Sequence, residues 1–254
     1  MKKIMKLDME QLEEAYKKLS RWTQWWLNYR DQDGDGLCEY THGNDSGWDN
    51  STPFRMLPPV TLPDLAAFLI IQMEELSVLA EQTGRRADSV LWKERSESML
   101  SRMQEKLFDG GRPKALQTVT GEEIENNSLL LYLPVVLGKK LPEKIREYLT
   151  EQLKSDKFLT EFGLATESPS SELYEADGYW RGPIWAPSTM LLADGLWECG
   201  EEEFVRDITH RFCKAVQQSG CAENFDALTG AGLRDRAYTW TASVMLVMAH
   251  EYLG

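Results

Sequence analysis

Asp31, Asp33 and Asp35 set carboxylates at alternate positions, Gly34 and Gly36 let the chain curl between them, and Glu39 follows. Hard oxygen donors at every second residue, closed by a later Glu, are how a loop wraps Ca²⁺. The likeness to an EF-hand loop is partial. The twelfth position counted from Asp31 is His42, where that loop wants a bidentate Glu, and Glu39 comes too early. A solvated Asp/Gly turn is the other reading. Next comes HGNDSGWDNS, in which His42, Asn44, Asp45, Ser46, Asp49, Asn50 and Ser51 can all hydrogen-bond hydroxyls. Trp48 gives Asp49 an apolar neighbour. A carboxyl beside a large aromatic is partly desolvated, which raises its pKa and can keep it protonated as a general acid. A capped polar loop has the same composition.

Two later stretches carry related chemistry. GYWRGPIW gathers Tyr179, Trp180 and Trp185 around Arg181. Aromatic faces stack on the C–H faces of sugars, and Arg clamps hydroxyl or anionic oxygens; an aromatic core plug with Arg181 in a structural ion pair is the competing reading. In SGCAENFDALTGAGL, Glu223 sits among the small residues Cys221 and Ala222 with Asn224 beside it. Alone, it reads as a surface Glu.

Helices must position these loops. Eight helical segments are expected. In the first, Leu12, Ala15, Tyr16, Leu19, Trp22, Trp26 and Tyr29 share a face at helical spacing. The others fall near residues 62–82, 87–107, 125–136, 142–153, 184–198, 201–218 and 236–253. Pro63 and Pro142 mark starts and Gly84 a stop. The last helix is expected to bury Tyr238, Thr241, Ala242, Met245 and Tyr252. No alternating run argues for a strand, so the fold class is all-α. Residues 30–61, 154–183 and 219–235 are long connections, where function concentrates in a compact helical domain. Nothing divides the chain, so residues 1–254 read as a single domain.

Composition narrows the function. With 28 Lys+Arg against 41 Asp+Glu, the net charge is −13. That balance argues against nucleic acid, whose phosphates call for Lys and Arg. No run of about 18 apolar residues suggests a membrane span. The basic start MKKIMK lacks an apolar segment after it, so a cytoplasmic location is expected. Cys38, Cys199, Cys213 and Cys221 lack metal-like spacing and read as reduced thiols, and three His residues make a His-rich metal site unexpected. No organic cofactor is called for. Nine Trp, nine Tyr and eight Phe suit a core, and also sugar platforms.

Taken together, DQDGDGLCEYTHGNDSGWDNS, GLATESPSSELYEADGYWRGPIWAP and ENFDALTGAGLRDRAYTWTA resemble glycoside hydrolase family 63 and its trehalase-like and debranching-type relatives, from about residue 15 onward. The resemblance implies an (α/α)6 toroid and an inverting α-glycosidase acting on an α-glucoside or related glycoside. Asp49 maps to the general acid and Glu223 to the general base. Trp48, Asn50, Tyr179, Trp180, Arg181 and Trp185 map to the sugar subsite. Asp31, Asp33, Asp35, the Leu37 carbonyl and Glu39 map to a calcium loop. Inversion needs room for a water between the carboxyls, about 6.5–9.5 Å. Eight helices fall short of the twelve such a toroid holds. An oligomer or an N-terminal segment would complete it, and a carbohydrate-binding, catalytically impaired fragment is the alternative function.

Overall fold

A computed structural model describes residues 7–56 and 58–254; the basic start at residues 1–6 lies outside the described residues. Among the described residues, seven α-helices carry the chain: α1 (Met9–Tyr29), α2 (Pro63–Gln82), α3 (Arg86–Leu107), α4 (Glu143–Lys154), α5 (Ala186–Glu198), α6 (Glu202–Ser219) and α7 (Thr239–Met248). An eighth helical segment, Leu129–Lys140, is wound as a 3-10 helix rather than an α-helix. Pro134 lies inside it and Gly138 breaks it with non-helical angles, so regular α hydrogen bonding cannot continue there.

The helices form two layers. α2, the 3-10 segment, α5 and α7 pack side by side as an inner row. α3 backs α2, α4 backs the 3-10 segment, and α6 backs α5 and α7, while α1 lies against α2. Sequence follows position. The 3-10 segment is apolar nearly all round and buries Leu129 through Val135 without a gap. α4 and α6 are amphipathic, with Ile145, Leu149 and Leu153 or Val205, Ile208 and Phe212 facing inward. Gly195 of α5 meets the 3-10 segment so closely that a Cβ there would lie 2.5 Å from the Val135 carbonyl oxygen.

The helix boundaries follow the sequence signals. Asp8 caps α1 in a reciprocal capping box with Gln11. Pro63 opens α2, and Gly84, in the left-handed region, follows its end. α7 continues as one π turn, Ala249–Leu253. Two expected faces differ. On α1, Tyr16 is buried, but Trp22 and Tyr29 are 59% and 64% exposed and Trp25 is exposed beside them. On the last helix, Thr241 and Tyr252 are buried as expected, but Tyr238, Ala242 and Met245 are only half-buried, Val244 and Met248 are buried instead, and Leu246 and Val247 are exposed. Both helices end the arc, so each has a neighbour on one side only, and the apolar periodicity runs on past it.

Short antiparallel strands tie the connections together. Ile184–Trp185 pairs with Asn224–Phe225, which pairs with Gly232–Leu233. Two residues are too few to leave an alternating pattern in the sequence. Among the described residues, no helix is long and apolar enough to cross a membrane.

Candidate active site

The acidic stretch after α1 is a tight loop. Asp31 accepts from the Gly36 amide, Asp33 from Asp35, and Asp35 from Leu37. One ligand oxygen from each of Asp31, Asp33 and Asp35 falls within 4.8 Å of the others. Asp35 also meets Lys106 at 2.8 Å. Glu39 is fully buried beneath them. Its Oε1 accepts from the Gln32 amide at 3.0 Å, while its Oε2 has no partner. Burial pushes its carboxyl up to about 7, with Asp33 and Asp31 adding repulsion. The three clustered carboxylates are a donor set suited to a hard cation, and Glu39 falls outside that cluster. Cys38, buried beside the loop, is pushed up to about 12 by burial first, so its thiol is inert at neutral pH. All four cysteines are unpaired.

The loop then turns into the Asp49 segment. Asp45 accepts from the Thr41 and His42 amides and faces Arg30 at 3.5 Å. Gly43 is buried against the Asp49 carbonyl. Beyond Asp49, Ser51 and Ser128 share a hydrogen bond at 2.7 Å, and Thr52 donates to Glu167 at 2.8 Å. Glu167 is fully buried and also accepts from Ser171 at 2.7 Å; burial raises its pKa, against which these donors pull. It joins the first long connection to the second, a role absent from the sequence expectations because a lone Glu in ATESPS carries no signal.

Asn50 joins the same two connections differently. Its Nδ2 donates to the Gly178 carbonyl and its Oδ1 accepts from the Trp180 amide, both at 3.0 Å. Both amide atoms are thus engaged with protein backbone. The aromatics form one continuous stack. Trp48 lies 4.6 Å from Trp180, centroid to centroid, and Trp180 stacks on Trp185 at 4.1 Å with 9° between planes. Trp240 meets Trp185 edge-on at 5.5 Å, and Tyr238 follows at 4.9 Å. Trp48 and Trp180 are nearly buried and Trp185 is completely so. Trp185 therefore backs the stack and cannot touch a ligand. Trp180 keeps an unpartnered buried indole N–H. Arg181 pairs with Glu175 at 2.7 Å, leaving its Nε without a partner.

Glu223 is fixed by the strand pairing beside it. Asn224 pairs with Trp185, and the Glu223 amide donates to the Asp235 carbonyl at 2.7 Å. Asn224 itself is fully buried with both side-chain polar atoms unpartnered. Tyr179 has φ +64°, unusual for a residue with a Cβ, and its carbonyl accepts from Trp185 Nε1 at 2.8 Å. The Tyr179 phenol is pushed up by burial, then by the charges of Asp49 and Glu223 and by Tyr238.

The family model of the mannosylglycerate hydrolase MGH1-like glycoside hydrolase domain matches residues 3–241. Mannosylglycerate hydrolase MGH1 of Selaginella moellendorffii is 22% identical over 91% of this chain and 59% of its own length. Glucosylglycerate hydrolase of Mycolicibacterium hassiacum is 21% identical over 96% of this chain and 68% of its own. The crystal structure of a glycoside hydrolase family 63 mannosylglycerate hydrolase from Thermus thermophilus, in complex with glucose, superposes with a TM-score of 0.78. It is 23% identical, and the match covers 94% of this chain and 68% of that one. The two-layer arc is accordingly part of an (α/α)6-type toroid, with eight of its helical segments present among the described residues. The chain spans about 59% of the length of the plant relative.

Proposed function

The chain belongs to the mannosylglycerate hydrolase MGH1-like glycoside hydrolase family, within glycoside hydrolase family 63, and from that premise we propose that it is an inverting α-glycosidase. Its substrate would be a small α-glucoside or α-mannoside, of which a hexosylglycerate is the leading case given its relatives. Asp49 protonates the departing glycosidic oxygen as the C1–O bond breaks. Glu223 takes a proton from a water on the opposite face, whose oxygen bonds to C1. The observation that carries this reading is the packing that joins their segments: Asn50, next to Asp49, holds Gly178 and Trp180, Trp48 stacks through Trp180 on Trp185, and Trp185 pairs with Asn224, next to Glu223. Trp48, Trp180 and the exposed part of the Arg181 guanidinium would meet the sugar, with Trp185 and Asn50 behind them.

Ca²⁺ belongs to the same proposal as a structural ion. The clustered Asp31, Asp33 and Asp35 carboxylates support the fit; the Leu37 carbonyl and Glu39, which lies outside that cluster, would complete the set. Further helices or a second copy, closing the arc, would cover Trp22, Trp25 and Tyr29 at one end and Leu246 and Val247 at the other.

Hydrolysis of α-mannosylglycerate, α-glucosylglycerate and trehalose, followed by NMR of the released anomer, tests the reading. Asp49→Asn and Glu223→Gln should abolish turnover, and the first product should be the β-anomer. Wild-type turnover no higher than these variants would overturn it. One rival is a carbohydrate-binding form without turnover, which the Trp48–Trp180 stack would serve equally. Calorimetry showing sugar affinity with no hydrolysis would favour that rival.

A further inference from the structure

We propose that residues 177–180 act as a spacer between the two catalytic carboxyls, held by Asn50 on the acid side and Arg234 on the base side. Asn50 and Arg234 are then positioning residues. The inference rests on the reading of Asp49 and Glu223 as acid and base.

The acid side is direct. Asn50 follows Asp49, and its amide group grips the spacer at two points, the Gly178 carbonyl and the Trp180 amide. Two hydrogen bonds on one planar group fix its orientation as well as its distance. On the base side, Arg234 donates from one guanidinium nitrogen to the Asp177 carbonyl at 3.1 Å and meets the Asp177 carboxylate at 2.8 Å. Its guanidinium carbon also stands 5.7 Å from the centre of the Tyr179 ring. The next residue, Asp235, accepts from the Glu223 amide. A continuous path therefore runs from Asp49 through Asn50, the spacer, Arg234 and Asp235 to Glu223.

Backbone strain marks the same path. Tyr179 and Arg234 both have φ +64°, and no other non-glycine residue among those described has a positive φ. Such a conformation is strained for a residue with a Cβ and persists only where its surroundings hold it. Arg234 and Asp177 are exposed. An exposed ion pair adds little to stability. A geometric role predicts that its loss moves the carboxyls while the melting temperature barely changes.

The variants Asn50→Ala, Arg234→Ala, Asp177→Ala and the Arg234/Asp177 double variant test this on two substrates. α-Mannosyl fluoride has a leaving group that needs no proton, whereas α-mannosylglycerate requires the acid. Asn50→Ala should lower kcat about 10-fold more on the glycerate than on the fluoride, the loss expected for a sub-ångström displacement of the acid. Arg234→Ala should lower kcat equally on both, with KM unchanged and Arg234→Lys partly restoring it. The double variant should be no worse than either single variant. Wild-type kcat in all variants, or losses confined to KM, would overturn the proposal. If the wild type cleaves neither substrate, the acid/base reading falls and amide exchange decides the spacer. Arg234→Ala should speed exchange at the Trp180 amide, and unchanged protection there would refute it.

Discussion

Gly43→Ala puts the positioning of Asp49 to a direct test. Gly43 is buried in the short 3-10 turn that precedes Asp49. A Cβ at this position would lie 2.0 Å from the Asp49 carbonyl oxygen and 2.8 Å from the carbonyl carbon. Ordinary contact begins at 3.4 Å, so 3.4 − 2.0 = 1.4 Å must come from backbone movement. No flexible side chain can absorb it. The segment after Asp49 is tied by Asn50 and by the Ser51 amide bond to the Trp48 carbonyl, so the displacement falls on Asp49. A shift of about 1 Å in a reacting group costs on the order of 100-fold in rate. That is about 2.7 kcal/mol of transition-state stabilisation. Overpacking should also destabilise the fold by about 1–3 kcal/mol, lowering the melting temperature by several degrees. The assay is kcat on α-mannosylglycerate and on α-mannosyl fluoride, measured below the variant's melting range. The glycerate rate should fall about 100-fold and the fluoride rate far less, because only the first needs the acid. A folded variant with wild-type kcat on the glycerate refutes the reasoning, and so does an equal loss on both substrates.

Other consequences are simpler to measure. Chelation should lower the melting temperature and added Ca²⁺ restore it; at 100 times Kd the gain is about 2.7 kcal/mol, and no response to either would return Asp31–Glu39 to a bare turn. Asp64 is buried, accepts from Tyr40 at 2.8 Å, and is pushed up to about 7 by burial. Its folded pKa lies above the unfolded value, so the folded state holds the proton more tightly and stability falls as pH rises from about 4 to about 7. Asp64→Asn should remove that slope, becoming more stable than wild type by about 4 kcal/mol at pH 8 and about equal at pH 4; parallel pH profiles for the two proteins would count against it. Trp185→Phe removes the donor to the Tyr179 carbonyl and leaves a void where the larger ring was fully buried, so kcat should fall with a stability loss of about 2–4 kcal/mol; unchanged kcat in the folded variant would mean that Tyr179 needs no such tether.

The parts of this molecule legible in the sequence are those with period or punctuation. α1, α2, α3, α4 and α6 announce themselves by apolar spacing and, at some ends, by Pro63, Gly84 and Pro142. The 3-10 segment reads in sequence as an ordinary helix near 125–136, since apolar residues all round do not reveal how the backbone is wound. Trp22 and Tyr29 read as inward-facing because a periodic face says which residues cluster, not whether a neighbour is there to cover them. The site is readable as residue types in three stretches. What holds those stretches together is not, because Asn50, Glu167 and Arg234 act through partners 128, 115 and 57 residues away. A contact of that range leaves no local pattern.

The division of labour between those ties and the aromatic stack follows from burial. Asn50, Asp177 and Arg234 are exposed, where hydrogen bonds and ion pairs compete with water and contribute little each. Trp48, Trp180 and Trp185 are buried and stacked, so moving any one of them opens a void in a close-packed region. The stack resists translation of the three loops, but flat rings can slide over one another at modest cost. The polar ties resist that sliding, since each depends on a directed donor and acceptor. Loss of a Trp should therefore unfold the rim, whereas loss of a tie should leave it folded with the carboxyls out of register. Among the residues flanking Asp49 and Glu223, catalytic and stability effects should separate along this line of burial.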